Sequence, residues 1–207
     1  TDGSCAVDVD ALARGLNLTC KHLRFAARVE PFDVGETVIS LPSSYKRVAA
    51  VTTRLLEQYS TIIIATDVPY DNNYFLESDG RVVIASFSAW SSLTSLSKNN
   101  GMIGFLNSFL AQELDGSHRH DENIGCVYDF LWDKRGIDQR LRNGAMCRTC
   151  AERLQSKAKQ SSSCPLEGFG CTFTEVFEDF MAILDEVSMA SKRGIDIVER
   201  WKTKAGV

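Results

Sequence analysis

The clearest hydrophobic pattern in this chain is a pair of continuous apolar runs. Residues 61–66 and 81–87 are rich in β-branched side chains, which is typical of strands buried on both faces. Residues 22–29 and 36–41 alternate between apolar and polar positions and predict two further strands. The stretch 67–80, rich in Asp and Asn, predicts a polar loop between the two buried strands. The pattern therefore places a sheet in the first half of the chain.

Apolar residues at helical spacing predict helices on both sides of these strands. The most regular pattern covers 101–115, where apolar positions recur every three or four residues and Asp115-Gly116 supplies a stop signal. The spacing of Thr172 and Glu175 fits a capping box, and an apolar stripe follows it. Further helices are predicted over residues 7–16, 45–59 and 195–202.

These elements predict an α/β (α+β) fold with a mixed sheet and a central helix at 101–115. We expect residues 1–155 to form this domain. The polar, serine-rich stretch 155–163 predicts a linker. Residues 165–207 then form a helical C-terminal extension, which packs back on the domain or serves a partner.

Composition narrows the class of protein. The chain has 207 residues, 44% of them hydrophobic and 24% charged, with a net charge of -4. These values are ordinary for a soluble globular protein, and no apolar run approaches the roughly 20 residues of a membrane helix. The seven cysteines are an odd number and form no even disulfide framework. We therefore expect a reducing, cytoplasmic setting with some thiols on metal and no membrane contact.

The candidate chemistry lies between residues 118 and 150. Cys147 and Cys150 are spaced by two residues and open a predicted helix, which is how half of a zinc site is commonly built. Cys126 supplies a third thiol upstream. His120 or His118 completes a Cys3His set, with Asp121 as a weaker third candidate for the fourth position. The pattern predicts a zinc knuckle at 118–150 that holds a structural Zn²⁺ through His120, Cys126, Cys147 and Cys150.

The same histidines allow a catalytic alternative. His118, His120 and Glu122, together with an acid from 67–71, would give a rearranged active site of a zinc-dependent hydrolase. The sequence contains no Walker loop, GxGxxG, GxSxG or HExxH motif. The catalytic residues therefore stay unassigned, and the enzyme question stays open with the non-catalytic alternative favoured.

Charge is divided unevenly along the second half. Residues 133–159 carry eight Lys or Arg against three acids, whereas residues 160–190 carry six acids and no Lys or Arg. One interpretation is that the two segments are solvated faces that attract each other. Another is that the basic segment 134–159 binds nucleic acid or an acidic partner.

The order of parts resembles the archaemetzincin family of zinc metallopeptidases over about residues 55–155. A buried strand precedes the polar loop 67–75, and a second strand ends at 84–88. A helix, a histidine, the aromatic-rich turn 126–130 and Cys147-x2-Cys150 follow. That family carries HExxHxxGxxHCx4CxM and closes a second, structural zinc site with a later CxxC.

The resemblance implies a degenerate relative without peptidase chemistry. We align Cys126 with the second cysteine of Cx4C. His120 then matches the third catalytic histidine of the family, and Asp121 takes the place of the first structural cysteine. The three positions of HExxH fall on Leu110, Ala111 and Leu114. Leu110 and Leu114 then replace the histidines of HExxH, and Ala111 replaces its glutamate. A zinc hydrolase needs three ligands and an open metal position, which these residues cannot supply. The chain is therefore predicted to be a zinc-binding, non-catalytic binding or regulatory module with a protein partner.

Overall fold

The computed structural model describes residues 7–28, 37–40, 43–116, 118–166 and 170–206. The helices are α1 (Val9–Thr19), α2 (Ser43–Leu56), α3 (Trp90–Leu93), α4 (Lys98–Asp115), α5 (Ile137–Asn143), α6 (Arg148–Gln160), α7 (Phe173–Lys192) and α8 (Ile197–Ala205). The strands are β1 (Ile62–Thr66), β2 (Leu76–Asp79) and β3 (Val82–Ser86), and a 3-10 turn at Lys134–Gly136 precedes α5. The predicted mixed α/β fold, with its central helix and C-terminal helices, is confirmed.

The three strands form a mixed sheet in the order β1-β3-β2. β3 pairs with β1 in parallel, with Ile64 opposite Ile84, and with β2 in antiparallel fashion. All five residues of β3 are buried, as its continuous apolar sequence predicts, whereas only Ile64 is buried in β1. The difference follows from position, because β3 is the central strand and β1 lies at an edge.

The two predicted alternating strands are not found in the parts of them that the structure describes. Residues 22–28 contain no strand, because the backbone N–H groups of Lys21, His22 and Leu23 donate to the carboxylate of Asp179 at 2.7, 2.8 and 2.6 Å. Of the second segment, residues 37–40 form only an isolated bridge at Ile39. Positions 29, 36 and 41 lie outside the described residues.

Two segments predicted to lack regular structure contain it. β2 lies inside the predicted loop 67–80, where the left-handed backbone of Gly80 (φ +56°) allows the tight turn into β3. The predicted linker at 155–163 is wrong over its first six residues, because α6 continues to Gln160. This helix buries little more than Cys150 and Leu154, so its sequence is polar enough to read as a linker.

The C-terminal helices share one hydrophobic core with α4. Phe180, Ile183 and Leu184 of α7 belong to the same buried cluster as Leu110 and Leu114 of α4, so α7 packs back on the central helix. Leu110 and Leu114 are each only 2% exposed, and this face of α4 therefore lines a filled core. No helix in the described ranges combines the length and apolar character needed to cross a membrane.

A candidate Cys3His metal centre

The structure brings four side chains together beside the C-terminal end of α4. The ligand atoms of His120, Cys126, Cys147 and Cys150 all lie within 4.8 Å of one another. The His120 Nε2 atom lies 3.1 Å from Cys150 Sγ and 3.4 Å from Cys147 Sγ. A tetrahedral zinc ion separates its sulfur and nitrogen ligands by about 3.5–3.8 Å. The group therefore suits a structural metal such as zinc.

A tight turn positions His120 and Cys126. The His120 N–H donates to the Tyr128 carbonyl at 2.9 Å, and the Phe130 N–H donates to the His120 carbonyl at 2.9 Å. The Asp129 carboxylate accepts from the N–H groups of Gly125 (2.6 Å) and Cys126 (2.8 Å). Gly125 has φ +84°, a left-handed conformation that favours glycine. The Cys126 side chain is thus fixed by backbone hydrogen bonds around a buried carboxylate.

The start of α6 positions the other two thiols. Cys147 is the N-cap residue of α6, and Cys150 lies in its first turn. The Cys147 N–H lies 3.4 Å from Cys126 Sγ in donor geometry, and the Val127 N–H donates to the Ala145 carbonyl at 2.9 Å. Thiolates at a helix N-terminus are stabilised by its backbone N–H groups. These hydrogen bonds place the turn at Cys126 beside the start of α6, so that the three sulfur atoms lie close together.

In the absence of a bound cation, burial opposes ionisation of the three thiols. Burial raises the pKa of Cys126 and of Cys150. Burial also acts to raise the pKa of Cys147, but hydrogen bonds from the Cys150 backbone and the neighbouring thiols outweigh it and lower the pKa. A bound divalent cation would compensate the charge of the thiolates.

A buried ion-pair cluster ties α6 to α4. Asp115, at the end of α4, is 2% exposed and forms ion pairs with Arg153 and with Lys157, the latter at 2.6 Å. Both cations belong to α6, which carries two of the thiols. The end of the central helix therefore anchors α6, the helix whose first turn carries Cys150.

Of the three candidates for the fourth ligand, only His120 contributes to the group. The His118 ring lies 5.0 Å from the His120 ring between centroids and packs against Tyr128 at 5.7 Å. Burial, assisted by Arg153, lowers the pKa of His118 and favours its neutral form. Asp121 is exposed and outside the group. His118 therefore lies beside the cluster and not in it.

Within the described residues, His118, His120 and Glu122 do not form a metal-ligand group with an acid from 67–71. Asp67 forms an ion pair with Lys98 at 2.6 Å, and Glu122 is exposed. Within the described ranges, the Cys3His group is the only set of three or more His, Cys, Asp or Glu side chains that could hold a metal. Four protein ligands complete a tetrahedral shell, which leaves no position for a water nucleophile.

Most of the basic segment is neutralised locally. Five of its eight cations form ion pairs, namely Arg135, Arg142, Arg148, Arg153 and Lys157. Arg140 instead donates to the Val127 carbonyl (2.7 Å) and to Ser108 Oγ (2.8 Å). In these ion pairs the carboxylates lie between residues 115 and 152, and none of them belongs to the described part of the acidic stretch 160–190.

Sequence reasoning missed two residues of this site and one thiol pair. The motif Gly125-Cys126-x-x-Asp129 is a local signal for a carboxylate that caps a turn, and it could have indicated Asp129. The role of Asp115 has no such signal, because its partners are 38 and 42 residues away. Cys164 and Cys171 bring their sulfurs within 2.8 Å, apart from the metal group.

No protein-family model, curated protein or solved structure shows a significant match to this chain. The resemblance to archaemetzincins therefore stays a prediction.

Proposed function

We propose that this protein is a zinc-stabilised, non-catalytic binding or regulatory module. The observation that carries the proposal is the Cys3His group, in which His120 and three cysteines would fill all four positions around a tetrahedral ion. A closed set of this kind supplies folding energy and does not activate water.

The surroundings of the group support a structural role. Its ligands come from a turn and from the start of α6, which Asp115 anchors to the central helix. The positions at which the resemblance would require HExxH, Leu110, Ala111 and Leu114, are buried in the core. A peptidase-like scaffold without peptidase chemistry accommodates both observations.

The test is metal content combined with chelation. We expect one zinc ion per purified chain and a marked fall in melting temperature under a strong chelator, because structural zinc contributes directly to folding. Cys150→Ser is expected to lose the metal. Cys20→Ser, which removes a buried thiol outside the group, is the matched control and is expected to retain it. A metal-free chain, or melting that a chelator does not change, would overturn the proposal.

A further inference from the structure

Three aromatic rings form a row on the surface next to the metal centre. The Tyr74 and Phe130 rings lie 5.8 Å apart between centroids, and the Phe130 and Trp132 rings lie 4.7 Å apart. Tyr74 is 40% exposed and Trp132 is 73% exposed. We call these residues, with Arg119 and Lys134, the aromatic patch. Large exposed aromatics grouped in this way are typical of interaction sites.

The two cations of the patch rest on rings and not on carboxylates. The Arg119 guanidinium lies 5.1 Å from the Phe130 centroid, and Lys134 Nζ lies 4.4 Å from the Phe75 centroid. Neither has a carboxylate partner in the part of the chain that the structure describes. Their neighbour Arg135, in contrast, is paired with Asp133 at 2.5 Å. The patch therefore presents positive charge that the protein does not neutralise.

A surface cleft of about 550 Å³ adjoins Trp132 and Lys134. Its other walls include Pro69 and Ser88, which lie just beyond the carboxyl ends of β1 and β3. In open α/β sheets, ligands bind at this edge. Asn73 (φ 62°) and Ala89 (φ 57°) also line the cleft, and they are the two non-glycine residues with positive φ in the described ranges. Strained backbone of this kind is concentrated at binding sites.

The turn that carries His120 also positions two residues of the patch. Arg119 directly precedes the ligand His120, and the Phe130 N–H donates to the His120 carbonyl at 2.9 Å. This turn therefore holds the backbone at Arg119 close to the backbone at Phe130. A structural metal would fix this surface without contacting a partner.

We propose that the aromatic patch and the adjoining cleft bind a partner protein through a segment in which acidic and apolar side chains are interspersed. Carboxylates complement Arg119 and Lys134, and apolar side chains cover the exposed Trp132 indole. The inference rests on the proposed function, because it gives the binding module its surface.

The charge of the molecule favours a peptide over a nucleic acid. Aromatic rings also stack on bases, but single-strand binding needs a positive groove that follows the phosphates. The chain carries a net charge of -4, and most cations of the 134–159 segment are already paired. Two cations are enough for local carboxylates and too few for a phosphate track.

The experiment uses the zinc-loaded chain of 207 residues and measures its binding to three labelled peptides by fluorescence anisotropy. The first peptide has Glu and Leu interspersed in a Gly-Ser background, the second has Gln in place of Glu, and the third has Ser in place of Leu. We expect the first to bind at least about ten-fold more tightly than either of the others. Intrinsic fluorescence gives a second readout, because Trp90 and Trp201 are buried at 4% and 6% exposure and Trp132 is not.

Matched variants locate the binding surface. Arg119→Gln combined with Lys134→Gln, and separately Trp132→Ala, are each expected to weaken binding of the first peptide at least about ten-fold. Lys159→Gln combined with Lys192→Gln changes the net charge equally at two exposed positions outside the patch, and binding should be retained. Zinc content is measured for every variant and is expected to stay at one ion per chain.

Several results would overturn the inference. These are equal binding of all three peptides, no binding at millimolar concentration, unchanged binding in the patch variants, and tighter binding of a thymidine oligonucleotide. A zinc-free wild-type chain that still binds the first peptide through the patch would overturn the proposed structural zinc and leave the binding surface standing. If a patch variant keeps its zinc but no longer binds the peptide, the result bears on the patch alone.

Discussion

Asp129 allows the sharpest test of how the turn supports the metal centre. Its carboxylate is 3% exposed and accepts two backbone hydrogen bonds, from Gly125 at 2.6 Å and from Cys126 at 2.8 Å. It does not belong to the ligand group. Both bonds end on the same oxygen, Oδ2, so Asp129→Ala removes both, whereas Asp129→Asn retains an uncharged carbonyl acceptor at this position.

The magnitude follows from these two bonds. A hydrogen bond to a charged group contributes about 1.5–3 kcal/mol, so two give an upper range of about 3–6 kcal/mol. Because Gly125 and Cys126 are buried, water cannot readily replace the lost acceptor. We expect Asp129→Ala to lower the free energy of unfolding by about 3–4 kcal/mol and Asp129→Asn by about 1–2 kcal/mol. Replacing a residue that orients a metal ligand also weakens metal binding, and we expect Asp129→Ala to lower the zinc affinity by about 10–100-fold.

Urea denaturation in zinc-buffered solution measures the first quantity, and competition with a chromophoric chelator measures the second. Asp121→Asn is the matched control, because Asp121 is exposed, directly follows His120 and lies outside the ligand group. It should leave stability and zinc affinity unchanged. If Asp129→Ala unfolds like the wild type and binds zinc equally well, or if Asp121→Asn loses zinc instead, this description of the turn is wrong.

Three further predictions concern other parts of the molecule. Asp179→Ala leaves three backbone N–H groups without their carboxylate, so urea unfolding should show a loss of about 3 kcal/mol, and an unchanged midpoint would contradict this. The hydrogen bond from Arg142 lowers the pKa of Asp138, so its stabilisation is present above the unfolded value of about 3.9 and disappears as pH falls through the lower folded pKa. Asp138→Asn should therefore flatten the acid limb of stability against pH, and parallel curves would refute this assignment. Oxidised glutathione should link Cys164 to Cys171, forming one S–S bond and releasing two glutathione thiols, and peptide mapping that finds no linked pair would exclude it.

The sequence was most informative where structure depends on local pattern. The continuous run at 81–87 predicts β3, and the spacing of Thr172 and Glu175 predicts the capping box that opens α7. Prediction failed where a distant residue provides the hydrogen-bond partner. The described part of the alternating segment, residues 22–28, forms no strand, and Asp179, about 157 residues away, accepts its first N–H groups.

In the metal group, too, some residues can be recognised from the local sequence and others only from the fold. Cys147 and Cys150 are recognisable from their spacing at a helix start, since both sulfurs are placed by one turn. The choice between His118 and His120 depends on the backbone pairing of 120 with 128–130, which no spacing rule reveals. The aromatic patch was missed for a related reason. Exposed aromatics look like core residues in a sequence, and only the fold shows that Trp132 is at the surface.

X-ray absorption at the zinc edge of the purified protein tests the Cys3His centre most directly. We predict a shell of three sulfur atoms at about 2.3 Å and one nitrogen at about 2.0–2.1 Å from a single zinc ion. Replacing His120 should remove the nitrogen, and replacing Cys126 should remove one sulfur. A shell dominated by oxygen, a shell with two or fewer sulfurs, or a chain without zinc would contradict a structural metal held by these four residues.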